Sequence, residues 1–181
     1  MKTKLTLLTV LLIFASCEQP TNNQAGEWVS SGEAYEIGTD QNVQIVKNML
    51  SAFNKMDTDA MQELMADTLT FYAANLKEPT SLPKEMTPQW MAQYDSVSTR
   101  AIYFLPYKRI GADGNDVSVV QTGQLENLYW ADGRVDSLRV LNKFFINSEG
   151  KIRAIRQWDA CLLYTSPSPR DLSTSRMPSS A

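Results

Sequence analysis

The feature that most constrains the fold is a series of four extended segments in the second half of the chain. They cover residues 100–112, 116–130, 137–147 and 151–159, and apolar residues recur in each of them at strand spacing. Short turns rich in Asp, Gly and Asn separate the segments, and turns of this composition join neighbouring antiparallel strands. The sequence therefore predicts an antiparallel meander as the main sheet.

Helical patterns precede this meander. Residues 40–56 and 57–67 each carry apolar side chains on one helical face, and Asp57 stands where the N-cap of the second helix is expected. Residues 68–75 alternate as a strand does, and residues 87–97 carry a third helical pattern that begins with Thr-Pro. This order predicts an α+β fold in which a cone-shaped, curved antiparallel sheet wraps around three helices.

The N-terminal segment resembles a bacterial lipoprotein signal. A basic "MKTK" precedes the short apolar run "LTLLTVLLIF", and "FASC" resembles a lipobox, in which the Cys thiol is acylated before cleavage. We therefore expect a signal peptide over 1–16, a lipid anchor on Cys17 and a polar tether over 17–39. The chain would lie in the bacterial cell envelope, facing the periplasm or the cell surface, and contact the membrane only through the anchor. An ordinary cleaved signal with an incidental Cys is the alternative.

The C-terminal segment 161–181 breaks the globular pattern and is rich in Ser and Pro. Its run "CLLYTSPSPRD" back-translates to a sequence similar to the reverse complement of a transposase sequencing adapter. We therefore expect a non-native tail over 161–181 and a folded domain over 40–160. A genuine Ser/Pro-rich disordered tail is the alternative.

Composition excludes several kinds of site. The chain has no His, which excludes a Ser-His-Asp triad, a histidine general base and a histidine zinc site. Its two Cys fall in the expected anchor (Cys17) and in the expected tail (Cys161), so no thiol is left for catalysis or a disulfide. Acidic residues outnumber basic ones, 20 against 17, so nucleic acid is not an expected partner. No cofactor and no metal site are predicted.

Two stretches resemble the SnoaL-like branch of the nuclear-transport-factor-two-like superfamily. They are "AFNKMDTDAMQELMADTLTFY" and "NSEGKIRAIRQWD", and the resemblance covers about residues 40–160. It implies a cone with one deep, mostly apolar pocket. Members of the family act as isomerases, dehydratases, cyclases and epoxide hydrolases, or serve as ligand-binding and dimerising modules. The fold alone does not choose among these functions.

We expect an aromatic wall in this pocket. Trp90 and Tyr94, four residues apart on the third predicted helix, are expected to pack with Trp158 over the concave side of the sheet. The candidates for the wall are Tyr72, Trp90, Tyr94, Tyr107, Tyr129, Trp130 and Trp158. For each of them, ordinary core or dimer surface is the alternative. Such a wall suits a flat or ring-shaped apolar ligand.

Two acids are candidates for chemistry in the pocket. A carboxyl in an apolar cavity has a raised pKa and can act as a general base, and Asp159 and Asp95 stand beside aromatic residues in patterned segments. A strand-end position for Asp159 and a solvent-facing position for Asp95 are the alternatives. The lack of His, Cys and any isolated pair of acids favours a tethered module that binds a small apolar or aromatic ligand, with homodimerisation as an option. The alternative is a cofactor-free isomerase, dehydratase or cyclase that uses one of these Asp residues as general base.

Overall fold

The computed structural model describes residues 24–29, 32–73, 76–110 and 116–159. In chain order the elements are β1 (Gln24–Trp28), β2 (Glu33–Ile37), α1 (Asp40–Lys55), α2 (Thr58–Leu64), β3 (Met65–Tyr72), β4 (Thr80–Pro83), a 3-10 turn (Lys84–Met86), α3 (Thr87–Met91), β5 (Tyr94–Arg109), β6 (Val117–Trp130), β7 (Val135–Ile146) and β8 (Ile152–Asp159). The expected signal peptide over 1–16, Cys17 and the expected tail over 161–181 lie outside the described residues. Within the described ranges, no helix is long and apolar enough to cross a membrane.

The strands form one sheet in the order β1-β2-β5-β6-β7-β8-β3-β4. Its centre is the predicted meander from β5 to β8, in which each strand pairs with the next one antiparallel. β3 joins the far edge of the meander by pairing parallel with β8. The helices cover one face of the curved sheet, and the core lies between this concave face and α1.

Side-chain hydrogen bonds to the main chain fix the ends of the first two helices. Asp57 is the predicted N-cap of α2, and its side chain accepts a hydrogen bond from the main-chain N–H of Ala60 at 3.0 Å. Asn54, in the last turn of α1, donates to the main-chain oxygen of Thr99 at 2.8 Å and accepts from its N–H at 2.6 Å. The C-terminal end of α1 is thereby fixed to β5.

The third helix is shorter than predicted. The sequence pattern extends a helix over 87–97, but α3 ends at Met91 and Tyr94 begins β5. From Tyr94 onward the main chain pairs with β6, and the β-branched Val97 and Thr99 are buried in this strand. Tyr94 is therefore a strand residue, and the prediction of a helical position for it is wrong.

The predicted tether over 17–39 is wrong for its described part, because the sheet already begins at Gln24. β2 pairs with β5, with Tyr35 opposite Arg109, and β1 pairs with β2. The ring of Tyr35 packs edge-on against Tyr107 at a centroid distance of 5.1 Å. The contact between Tyr35 and Tyr107 therefore adds to the main-chain pairing that holds β2 against β5.

Candidate functional site

A cavity of about 360 Å³ lies between the helices and the concave face of the sheet. Each helix contributes to its walls, and so do the strands from β3 to β8. Most of the lining is apolar and includes Met49, Phe53, Met61, Leu69, Leu82, Leu128, Leu138 and Phe144. A volume of this size lies within the roughly 300–1,000 Å³ that is usual for small-molecule sites.

The period of the strands decides which side chains reach the cavity. The lining residues from β6 and β7 are even-numbered, and those from β8 are odd-numbered. The register then aligns them across the sheet, since Gln124 and Asp159 lie opposite Val140 from its two sides and Gln157 lies opposite Asn142. Polar side chains in neighbouring rows form a polar band on this otherwise apolar face. The band consists of Gln124, Glu126, Asn142, Gln157 and Asp159.

Glu126 belongs to this polar band and is almost fully buried, with 7% of its surface exposed. Burial is the main reason that its pKa rises from 4.5 to about 7, the carboxyl of Asp159 raises it further, and a hydrogen bond from Asn142 lowers it. Nδ2 of Asn142 donates to a carboxylate oxygen of Glu126 and to Oε1 of Gln124, both at 3.3 Å. Glu126 therefore gains and loses its proton near neutral pH.

Two acceptors of the polar band have no partner among the described residues. Oδ1 of Asn142 and Oδ1 of Asp159 are buried without a hydrogen bond. Asn142 is only 4% exposed, and burial raises the pKa of the half-buried Asp159. Buried polar atoms are normally satisfied, so these two oxygens are acceptors that an additional donor could satisfy.

Four aromatic rings form a continuous wall of the cavity. Phe53 stacks on Trp90 at 6.0 Å, Trp90 meets Tyr94 edge-on at 6.3 Å, and Tyr94 contacts Trp130 at 4.7 Å between ring centroids. Trp130 is held in place because its Nε1 donates to a carboxylate oxygen of Asp136 at 2.8 Å. Burial, and then the nearby carboxyls, raise the pKa of Tyr94 to about 12, so its hydroxyl keeps its proton at neutral pH.

No protein-family model matches this sequence, and no curated protein matches it. The fold is similar to that of an LEH-like epoxide hydrolase from M. tuberculosis, which is 16% identical with a TM-score of 0.52 over 70% of this chain and 86% of that one. It is also similar to SalBIII, an epoxide hydrolase/cyclase-like enzyme of pyran ring formation in salinomycin (16% identity, TM-score 0.52, 67% of this chain and 92% of that one). A third similar structure is RV0760c from Mycobacterium tuberculosis in complex with estradiol-17beta-hemisuccinate (11% identity, TM-score 0.51, 65% of this chain and 92% of that one).

The predicted fold class is confirmed. The structure has three helices and a large, curved, mainly antiparallel sheet, as the resemblance to the nuclear-transport-factor-two-like superfamily implied. At these identities the similarity shows the fold alone, so the function has to be argued from the cavity.

Four of the residues predicted for the site line the cavity of this fold, namely Trp90, Tyr94, Trp130 and Asp159. The predicted contact of Trp158 with Trp90 and Tyr94 is wrong, because Trp158 lies on the opposite face of the sheet and is 42% exposed. Adjacent strand residues point to opposite faces, so Asp159 and Trp158 could not both enter the cavity. Tyr129 follows the same rule beside Trp130 and is also exposed.

Tyr72 and Tyr107 likewise lie on the convex face and are not cavity residues. There they accompany Trp158 in a set of cation–aromatic contacts. Nζ of Lys143 lies 5.8 Å from the Tyr107 ring and 5.4 Å from the Trp158 ring, and the Arg156 guanidinium lies 4.5 Å from the Tyr72 ring. The prediction that these three aromatic residues face the pocket is therefore wrong.

Asp95, the second predicted acid, is exposed and does not line the cavity. It sits where the pairing of β5 with β6 shifts register between Tyr94 and Ser96. An extra residue at such a bulge has no partner opposite it, and here its side chain points to solvent.

The sequence prediction missed most of the polar band. Glu126 and Asp159 share one cavity, so the expectation that no isolated pair of acids exists is wrong. The signal was the alternation in "QTGQLENLYW", because an inward Trp130 also places Leu128, Glu126 and Gln124 inward. Among the described residues, no group of three or more His, Cys, Asp or Glu side chains could hold a metal ion.

Proposed function

We propose that the cavity binds a small organic molecule with an apolar, ring-shaped body and one polar end. The observation that carries this proposal is the division of the lining into an aromatic wall and the polar band. The wall offers ring faces and edges for stacking, whereas Glu126, Asn142 and Asp159 offer hydrogen-bonding groups at one place. Estradiol-17beta-hemisuccinate, the molecule in complex with RV0760c, combines a ring body with polar ends.

A pair of Trp→Ala variants tests the location of this site. Trp90→Ala removes part of the aromatic wall, whereas Trp158→Ala makes the same chemical change on the convex face. We expect the affinity for the uncharged dye Nile red to fall roughly tenfold in Trp90→Ala, which corresponds to a loss of about 1.4 kcal/mol, and to stay unchanged in Trp158→Ala. Fluorescence titration measures the affinity, and circular dichroism confirms that both variants are folded. Equal effects of the two substitutions would contradict the proposal.

A second candidate function is cofactor-free acid–base catalysis, as an isomerase, dehydratase or cyclase. It is favoured by the coupled acids Glu126 and Asp159 in one cavity, since the pKa of Glu126 is about 7 and burial also raises that of Asp159. A protonated Glu126 can donate while an ionised Asp159 accepts, and Tyr94 supplies a neutral hydroxyl donor near the acids.

Proton exchange tests catalysis without a known substrate. If the pair transfers protons, the protein should speed exchange of the α-protons of cyclohexanone in D2O, as measured by NMR. Glu126→Gln and Asp159→Asn should each abolish the acceleration, whereas Glu149→Gln, an exposed acid at the turn before β8, should not. Binding of Nile red without any acceleration of exchange would leave the binding function alone.

We also propose that the chain is tethered to a membrane of the cell envelope through a lipid on Cys17. The support is the "FASC" motif after a short apolar run. Mass spectrometry of the mature protein should find an acylated N-terminal Cys, and Cys17→Ala should move the protein from the membrane fraction to the soluble fraction. A mature protein that begins at another residue would contradict this proposal.

A further inference from the structure

The charges that line the cavity all have one sign. Glu126, Asp136 and Asp159 contribute three carboxyls, and the described residues of the lining include no Lys and no Arg. Burial is the main cause of the raised pKa of Glu126, and the carboxyl of Asp159 raises it further, so these two acids repel each other when both are ionised. The cavity is therefore electrostatically suited to a positive charge.

Three cations on the strands that form the cavity contact other groups. The guanidinium of Arg134 lies over the Trp130 ring at 4.4 Å, but its Nε is paired at 2.8 Å with the exposed Asp132 of the same turn. Lys143 and Arg156 contact aromatic rings on the convex face, on the far side of the sheet. Arg134 also attracts the carboxylate of Asp136, but none of these three cations acts on Glu126 or Asp159.

A second, independent feature points to a ligand with donors. Asn142 is 4% exposed, and its Nδ2 already donates to Glu126 and Gln124, which leaves Oδ1 as a buried acceptor without a partner. Oδ1 of Asp159 is a second buried acceptor without a partner among the described residues. Buried amide and carboxylate oxygens from the lining of one cavity match a group with several N–H donors.

The aromatic wall adds a third favourable contribution for a cation. Tyr94 and Trp130 pack against each other at 4.7 Å and line the same cavity as the polar band. Faces of Trp and Tyr rings attract ammonium groups, and the attraction grows when water is excluded. A cationic group between the Tyr94 ring and the acids would interact favourably with both.

We propose that the polar end of the ligand is a protonated amine, carried on an apolar or ring-shaped body. Its N–H groups donate to Asn142 Oδ1, Asp159 Oδ1 and the Glu126 carboxylate, while its body packs along the aromatic wall. The inference rests on the proposed binding function and specifies the chemical class of the molecule bound. A neutral or anionic polar end would leave the acids uncompensated.

Binding of an amine should be linked to the proton of Glu126. The groups that interact with this carboxyl are Asp159 from β8, Asn142 from β7 and Tyr94 from β5; Asp136 from β7 lies in the same cavity lining, and α1 turns apolar side chains toward the cavity. The pKa of Glu126 is about 7, and an ammonium group prefers its ionised form. Affinity for the amine should therefore increase as the pH rises through about 7.

Two probes of the same shape and different charge test the inference. 2-Phenylethylammonium and 2-phenylethanol share a phenyl ring and a two-carbon chain, and both donate hydrogen bonds, but only the first is positively charged. We expect calorimetry at pH 8 to show binding of the ammonium about tenfold tighter than that of the alcohol, with a smaller ratio at pH 5.5. Glu126→Gln and Asp159→Asn should each lower the ratio at pH 8, and Glu149→Gln should leave it unchanged.

The outcomes distinguish failure of the amine assignment from failure of the binding function. An alcohol that binds as tightly as the ammonium, or a ratio that Glu126→Gln and Asp159→Asn both leave unchanged, overturns the assignment of an amine while the binding function stands. If neither probe binds, the inference fails, and if Nile red does not bind either, the binding function fails as well. An ammonium preference that Glu149→Gln removes as well would show general surface attraction and would also overturn the inference.

Discussion

Replacement of Glu126 by Gln should stabilise the protein at alkaline pH and have little effect at acidic pH. The carboxyl is 7% exposed and burial raises its pKa from 4.5 to about 7, so the folded state resists ionisation of this group. Gln keeps the side-chain oxygen that accepts from Asn142, and it has no charge to desolvate. The difference in stability between the two proteins therefore reports the cost of the charge.

The size of the effect follows from proton linkage. Below pH 4.5 the carboxyl is protonated in the folded and the unfolded state, so ionisation costs no stability. Between pH 4.5 and about 7 only the unfolded state loses the proton, and stability falls by about 1.4 kcal/mol for each pH unit. Above about 7 both states are ionised and the loss stays constant, at about 3 kcal/mol in total.

Urea unfolding followed by tryptophan fluorescence measures this difference. Wild type and Glu126→Gln should unfold with similar free energies at pH 4.5, and the variant should be more stable by about 3 kcal/mol at pH 8. Glu149→Gln provides the matched control, because it removes an exposed acid and should give a difference that does not change with pH. A difference between Glu126→Gln and wild type that is the same at all pH values would show that ionisation of Glu126 does not destabilise the folded state.

Substitutions at Gly123, Asp57 and Trp130 test local contacts of the fold by the same urea assay. Gly123→Ala should cost about 1 kcal/mol, because its Cβ would lie 2.5 Å from Cε1 of Tyr103, and Tyr103→Ala in the same chain should restore part of the loss. Asp57→Ala should cost about 1 kcal/mol through loss of the N-cap of α2, whereas Asp57→Asn should cost less. Trp130→Phe should cost about 1 kcal/mol, since it keeps a ring but removes the 2.8 Å hydrogen bond to Asp136.

Most of the fold could be predicted from the sequence because turn composition and strand period agree in the meander. The third predicted helix shows how two periods can coincide. Tyr94 and Val97 are three residues apart, which fits one face of a helix, yet they lie opposite Trp130 and Leu128 on β6. A register shift at Asp95 allows both side chains to face inward from a strand. A bulge in a strand thus gives the inward residues the spacing of a helix, and only the pairing with β6 distinguishes the strand from a helix.

The candidate site could not be predicted from composition, because composition does not show which face of each strand lines the cavity. Side chains alternate between the faces of a strand, so one residue that points inward determines the direction of the others. An inward Trp130 places Glu126 inward, and an inward Asp159 places Trp158 on the outer face. Aromatic character carries no information about the face, so the rings of the convex surface looked as suitable as those of the cavity. The pairing of Glu126 with Asp159 also needed the order β6-β7-β8, which brings two distant segments of the chain together.

The polar band is costly for the fold, and this cost supports the proposal that it binds a ligand. On either side of the band, the same strands present apolar side chains to the same face, with Phe144 and Ile155 on one side and Leu128 and Leu138 on the other. Apolar residues in place of the band would pack without desolvating a carboxyl or leaving acceptors unpaired, and such replacements are commonly neutral or stabilising. Unpaired acceptors and a carboxyl with a raised pKa contribute little to the stability of the fold. Both would gain hydrogen bonds when a donor enters the cavity. The least favourable part of the core is therefore the part best suited to hold a ligand.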